Sequence, residues 1–154
     1  MSEHRASRVL AAAALLLTVL PPFIFSVVAL TAGMTVGETL TSVAEQYSRP
    51  RVNLAVLTAL GFVPLLLLGV WLAGRRLLIG TWQGAGAYAW SASVATLLIV
   101  VFMHSEYWPT YLPARVPAGF PHGLEFTIGP FVFGPIAVVI SCIAVALYRR
   151  SRKN

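Results

Sequence analysis

The sequence predicts an all-α integral membrane protein, a four-transmembrane-helix bundle with kinked helices and both termini in the cytoplasm. Two observations predict this class. Of the 154 residues, 58% are hydrophobic and only 10% are charged, and the apolar residues form long uninterrupted runs. A soluble domain carries roughly 25% charged residues, so a soluble enzyme fold and a disordered chain are both excluded. A transmembrane barrel would instead show alternating segments of about ten residues.

Four stretches are long enough to span the roughly 30 Å hydrocarbon core, which takes about 20 apolar residues as a helix. They are residues 9–30, 52–73, 84–103 and 127–148, and outer loops 31–51 and 104–126 connect them in pairs. None of the four contains Asp, Glu, Lys, Arg or His. Coupled transport of ions or protons normally needs an ionisable group within the membrane, so the sequence argues against that function.

The first span resembles a secretory signal peptide in having arginines before an apolar run. A signal peptide has an apolar region of about 7–15 residues, whereas this run continues through Pro21 and Pro22 to residue 30. We therefore expect a retained membrane anchor. Cleavage near Ala29 or Ala32 is the alternative, and it would leave three spans with the same orientation.

Charge placement predicts the orientation of the bundle. Eight of the eleven basic residues fall in the N-terminal tail, the second connection and the C-terminal tail, which the positive-inside rule places in the cytoplasm. The net charge of +6 therefore reflects topology, and we expect anionic lipid rather than nucleic acid at the C-terminal tail. Ten arginines against one lysine, with many alanines, are typical of a GC-rich bacterial gene. The predicted location is thus a bacterial plasma (inner) membrane.

The first outer loop contains a predicted interfacial helix. Thr35 and Glu38 have the spacing of a capping box, in which each side chain bonds the backbone N–H of the other residue. Proline at position 50 predicts the end of this helix near Ser48. Its apolar residues share one helical face and are Val36, Leu40, Val43 and Tyr47.

Small residues in the third span recur at helical spacing, with Ala85, Ala89 and Ser93 on one stripe. Lipid gives helices no hydrophobic reason to associate, and small residues let two backbones approach closely. The stripe therefore predicts a helix-packing surface. The sequence leaves open whether it lies at the centre of the bundle or contacts another protein.

Prolines in the second and fourth spans are predicted hinge positions: Pro64, Pro130 and Pro135. Proline removes a backbone donor and kinks a helix, and neighbouring helices in a membrane can satisfy the freed carbonyl. A kink fixed by packing is the simpler interpretation. An irregular half-helix of the kind found in transporters is the alternative.

The third outer loop is long, aromatic and rich in proline, and it holds the candidate metal ligands His104, Glu106, His122 and Glu125. Two imidazoles and two carboxylates suit zinc or another divalent metal, and the neighbouring Met103 would add a soft ligand for copper. No HExxH or CxxC spacing supports this set. A partner-docking loop and a plain connecting loop are the alternatives, with aromatic residues such as Trp108 anchoring it at the interface.

These observations favour a non-catalytic membrane protein, a small subunit or assembly partner of a larger membrane complex, or a homo-oligomer. The chain lacks a phosphate-binding glycine loop, a GxSxG elbow and any aspartate, and no cofactor is predicted. Two alternatives stay open. One is an externally facing metal or redox site on residues 104–125. The other is a carrier or sensor of an uncharged lipophilic molecule that enters near Pro64 and Pro135.

Overall fold

The computed structural model describes residues 2–50, 53–79, 85–110, 112 and 124–151, and in these ranges it contains helices and turns but no strand. The α-helices, in chain order, are α1 (Ser2–Thr31), α2 (Val36–Ser48), α3 (Leu54–Gly61), α4 (Val63–Ile79), α5 (Ala85–Tyr107), α6 (Glu125–Ile128) and α7 (Gly134–Ser151). A 3₁₀ turn, Trp108–Thr110, follows α5, and a π-helical segment, Gly129–Phe133, joins α6 to α7.

Within the described ranges, four helical stretches are long and apolar enough to cross a membrane: His4–Thr31, Leu54–Gly74, Ala85–Tyr107 and Phe126–Ser151. This confirms the prediction of an all-α chain with four such helices, and each stretch overlaps one predicted span. The kinks and the cytoplasmic location of the termini stay predictions. The third of these stretches, helix α5, continues beyond residue 103 to Tyr107. His104 therefore lies in the last turns of α5 rather than in a loop.

The α1 and α5 helices pack against each other more extensively than any other pair. The predicted stripe of Ala85, Ala89 and Ser93 is buried in the described bundle. The alanines of this stripe belong to an apolar core that also contains Ala13 and Leu17 of α1. Small side chains permit this close approach of two helices.

The second of these four long apolar stretches is interrupted next to Pro64. Helix α3 ends at Gly61, and Phe62 forms a turn in which its N–H donates to the Ala59 carbonyl at 3.1 Å. Helix α4 then begins at Val63, which places Pro64 in its first turn. Proline is tolerated there because the first N–H groups of a helix have no intrahelical partner.

The fourth stretch has a similar interruption, and this interruption lies next to the one at Pro64. Pro130 lies in the π-helical segment, and Pro135 is the second residue of α7. A Cβ placed on Gly134 would overlap the ring of Pro64, so α7 approaches α4 here as only a glycine allows. The structure therefore brings two of the predicted hinge positions to one place, and their hinge motion stays a prediction.

Helix α2 begins with the predicted capping box. The Glu38 N–H donates to Thr35 Oγ1 at 3.3 Å, and the Thr35 N–H donates to the Glu38 carboxylate at 2.8 Å. The helix ends at Ser48, as the following proline predicted. Val36 and Leu40 of the predicted apolar face are each 65% exposed, whereas Thr39 and Gln46 are buried. Val43 of the same face is partly buried and packs against the core. Helix α2 thus contacts the bundle through Thr39, Val43 and Gln46 and turns the rest of its apolar face outward, and its interfacial location stays a prediction.

Candidate functional site

An aromatic cluster closes one end of the described bundle. Trp108 is fully buried, and its ring meets Phe25 and Tyr107 edge-on with the centroids 4.8 Å apart in both pairs. Phe126 of α6 meets Tyr107 at 4.8 Å and His104 at 5.0 Å, also edge-on. Such edge-to-face pairs stabilise beyond the area that they bury. The cluster therefore joins α1, α5 and α6.

Trp108 is more buried than the sequence predicted for an aromatic residue of the third outer loop. Trp108 was expected to anchor the loop at the membrane interface, and it lies instead inside the protein. The physical reason is the greater length of α5. Because α5 continues to Tyr107, the residues after it pack against α1 and α6. Burial by tertiary contacts has no periodic signal in a loop sequence.

His104 lies within this cluster and is fully buried. Its Nδ1 accepts a hydrogen bond from the indole N–H of Trp108, with a nitrogen-to-nitrogen distance of 2.9 Å. A bond in this direction needs an unprotonated Nδ1, so a neutral ring carries its proton on Nε2. The buried Nε2 has no hydrogen-bond partner among the described residues. The four-residue spacing of His104 and Trp108 is the sequence signal that would have paired them.

The proposed metal ligands are not assembled by the described residues. Glu106 follows His104 by two positions on α5, and side chains at that spacing do not face each other on a helix. His122 and the side chain of Glu125 lie outside the described part of the chain. Among the described residues there is no group of three or more His, Cys, Asp or Glu placed to hold a metal. The four-residue metal set therefore stays a prediction.

The hydrogen bond between Trp108 and His104 affects whether His104 can bind a metal. A histidine that binds a metal usually donates its second ring N–H to a carboxylate, a carbonyl or water. In this structure the second nitrogen of His104 accepts from an indole instead. Binding a metal through Nε2 would require Nδ1 to gain a proton and lose this bond, so the observed geometry suits a packed histidine better than a ligand.

An apolar cleft of about 530 Å³ lies between α4, α5 and α7. Its walls include Trp71 and Tyr88, whose rings meet edge-on at 5.4 Å, and the predicted hinge residue Pro135. Cys142 and Ala146 line the part contributed by α7. A volume of this size is within the range of small-molecule pockets, and its apolar walls suit a lipophilic occupant.

These features define a class of protein, since an all-helical chain with four long apolar helices has the architecture expected of a multi-pass membrane protein. Beyond that class, no protein-family model, curated protein or solved structure matches the chain. Its function is therefore inferred from its own residues.

Proposed function

We propose that this chain is a non-catalytic multi-pass protein of the bacterial plasma membrane, with both termini in the cytoplasm. It acts as a small subunit or assembly partner of a larger membrane complex, with a second copy of the chain as the alternative partner. The observation that supports this proposal is the small extent to which α7 is covered by the rest of the bundle.

The stretch Phe126–Ser151, which consists mainly of α7, differs in burial from the other three long apolar stretches. In its most apolar 18-residue window only 11% of the residues are buried, against 33–39% in the other three stretches. The large side chains that remain exposed there are Phe131, Val132, Phe133, Ile136, Val139, Ile140, Ile143 and Leu147. One helix of the four is thus held mainly along one side, and most of its surface is free to meet lipid or a partner.

Small residues on α7 favour a protein partner on that surface. Ala137 and Ala144 lie two turns apart and therefore share a face between rows of bulky side chains. Helices associate in lipid by close packing, and alanine allows a second helix to approach. The equivalent stripe on α5 is already buried inside the described bundle, which leaves α7 as the better candidate interface.

Site-specific photo-cross-linking in native membranes tests this proposal. A photoreactive amino acid at Ile140 on α7 should give discrete adducts, whereas the same group at Leu15 on α1 should not. The two positions make a matched pair because they are 60% and 68% exposed. Mass spectrometry of the adducts distinguishes a different protein from a second copy.

Purification in mild detergent at physiological expression provides a second test. The subunit proposal expects the tagged chain to elute with a partner, and differently tagged copies identify a homo-oligomer. A chain that elutes alone and gives equal, diffuse adducts from both positions would contradict the proposal.

The apolar cleft supports a second candidate function, binding of an uncharged lipophilic molecule as a carrier or sensor. Its walls come from three helices, and Pro135 lies at the start of the one that is least covered. A ligand that binds the folded state raises its thermal stability. The test is a thermal-shift screen against lipids and quinones.

A matched pair of variants connects any thermal shift to the cleft. Ala146 and Ala144 are both exposed alanines on α7, and only Ala146 lines the cleft. Ala146→Phe should remove a ligand-dependent shift, and Ala144→Phe should preserve it. A panel without any shift, or a shift lost equally in both variants, would count against this function.

A further inference from the structure

A second groove, of about 760 Å³, lies between α1 and α5 on the side away from the apolar cleft. One end is lined by His4, Arg5 and Arg8 of the first two turns of α1. Farther along, the walls are apolar and include Leu16 of α1 and Leu97 of α5. The groove is thus basic at one end and apolar along the rest of its length.

A smaller apolar pocket of about 270 Å³ continues this groove, since both are lined by Leu16, Val94 and Leu97. It extends along α1 to Leu20. The distance from Arg5 to Leu20 is roughly 22 Å at 1.5 Å per helical residue. Half of a bilayer with its headgroups is about 20–22 Å thick. The two pockets together, named the α1/α5 groove from here on, therefore match the depth of one leaflet.

The basic end carries two guanidinium groups that have no acidic partner among the described side chains. The only hydrogen bond of either group to a described residue runs from Arg8 Nε to the His4 carbonyl, at 3.2 Å. The carbon stem of Arg5 rests on Gly86, whose added Cβ would lie 3.5 Å from Cγ and Cδ of the arginine. The stem is thus supported by α5, and the charged head remains available at the groove.

Ser93 adds an independent observation in the wall of the same groove. Its Oγ is buried and has no hydrogen-bond partner among the described residues. Two other hydroxyls on these helices donate to the carbonyl four residues earlier: Thr96 to Ala92 at 2.8 Å and Thr18 to Ala14 at 2.9 Å. A buried hydroxyl without a partner is costly. Because the Oγ of Ser93 has almost no accessible surface, it reaches a polar group in the groove only when its side chain rotates toward the groove.

We propose that the α1/α5 groove binds one anionic phospholipid. Its phosphate is held by Arg5 and Arg8, and an acyl chain lies along the apolar wall toward Leu20. Ser93, after its side chain rotates toward the groove, supplies a hydroxyl for the polar part of the lipid between these ends. A free anion would use only the basic end, and an apolar molecule only the wall. An anionic amphiphile as long as one leaflet uses both.

Native mass spectrometry of the full-length protein in detergent tests this site. Phosphatidylglycerol is titrated against phosphatidylcholine, and the bound lipids are counted. We expect one phosphatidylglycerol per chain, held in preference to phosphatidylcholine. The double variant Arg5→Gln/Arg8→Gln should weaken the binding of phosphatidylglycerol by about tenfold or more, because it removes two positive charges that attract the lipid phosphate. The matched control Arg149→Gln/Arg150→Gln removes the same charge from the other terminus. Because lipid meets that tail only through its headgroup, this control should lose only loosely held lipid and should keep the one tightly bound phosphatidylglycerol.

Two further experiments distinguish a bound phospholipid from a free phosphate ion at the same arginines. Excess inorganic phosphate should not displace the lipid, because the acyl chain supplies part of the binding. Val94→Trp fills the groove without changing its charge and should also reduce binding, whereas Val139→Trp on α7 should not. Equal loss in both arginine pairs, equal binding of the two lipids, or displacement by inorganic phosphate would overturn the proposal. If Val94→Trp fails to fold, the arginine pairs still decide.

Discussion

Helices α5 and α7 are both apolar enough to cross a membrane, but they occupy opposite positions in the bundle. In the most apolar window of α5, 39% of the residues are buried, and in that of the stretch containing α7 only 11%. Helix α5 carries small side chains toward α1, whereas the exposed surface of α7 is dominated by isoleucine, valine and leucine. Apolarity alone therefore does not determine which helix becomes the centre.

The difference follows from the solvent. In water, bulky apolar residues would be driven into a core, but lipid is as apolar as they are. Close packing between helix backbones then determines which helix lies at the centre of the bundle. Alanine and serine permit such packing, whereas isoleucine does not. Helix α5 is central because its small side chains face α1. Helix α7 remains peripheral within this chain because bulky side chains dominate its exposed surface, and Ala137 and Ala144 are the small positions at which the proposed partner would approach.

Enlarging a small residue on each helix is the strongest test of this comparison. Ala89→Leu places a bulky side chain where α5 meets the buried core, and we expect a loss of about 3 kcal/mol in the free energy of unfolding. Ala144→Leu on the exposed side of α7 should change it by less than about 0.5 kcal/mol. Unfolding in mixed micelles, followed by circular dichroism, measures both. Similar losses for the two variants would show that α7 is packed as tightly as α5.

Glycine substitutions examine the point where α7 approaches α4 closely. Gly134→Ala would drive a Cβ into the rigid Pro64 ring, and we expect it to cost about 2 kcal/mol. Gly129→Ala meets the flexible side chain of Met103 and should cost about 1 kcal/mol. Gly69→Ala has open space around it and serves as the control. A neutral Gly134→Ala would mean that α4 and α7 can separate freely at the prolines.

The aromatic cluster tests the other end of α5. Trp108→Phe removes the N–H that His104 Nδ1 accepts, leaving a buried ring nitrogen unpaired, and we expect a loss of about 1.5 kcal/mol. Trp90→Phe is the matched control because Trp90 is exposed. Thermal unfolding of the two variants in the same detergent measures the difference. Equal stability of both would indicate that the His104–Trp108 bond contributes nothing net.

Much of the fold could be predicted from local signals. The four apolar helices and the capping box at Thr35 and Glu38 depend on residues that are adjacent or one turn apart, and the structure confirms both. The continuation of α5 to Tyr107 was not predicted, because the histidine and glutamate after residue 103 read as the start of a loop. Their helix is stabilised by contacts with distant residues such as Phe25 and Phe126.

The candidate sites were less predictable for the same reason. Arg5 and Arg8 are separated from Ser93 by the whole of the first two spans, so only the packing of α1 on α5 places the three residues in one groove. The meeting of Pro64 with Gly134 likewise needs the tertiary structure. A single sequence indicates which residues are unusual, but it contains no distance between them.

The smallest expected effect concerns α2, which is held at its start by its cap rather than by an apolar face. The Thr35 backbone N–H and, to a lesser degree, its hydroxyl lower the pKa of the Glu38 carboxyl. Because the folded pKa is the lower one, this stabilisation is present above the ordinary Glu value of about 4.3 and is lost as the pH falls through the folded value.

A ¹³C NMR titration of the Glu38 carboxyl should therefore give a midpoint below that of an unstructured glutamate. Thr35→Val deletes the hydroxyl and keeps the backbone donor, so it should raise the midpoint only in part. Glu38→Gln retains a side-chain acceptor without a titrating group, and it should make the start of α2 insensitive to acid. An ordinary midpoint in the wild type would show that the capping box does not persist in the membrane environment. Helix α2 would then be held by its buried residues Thr39 and Gln46 and by the contact of its outward apolar residues with lipid.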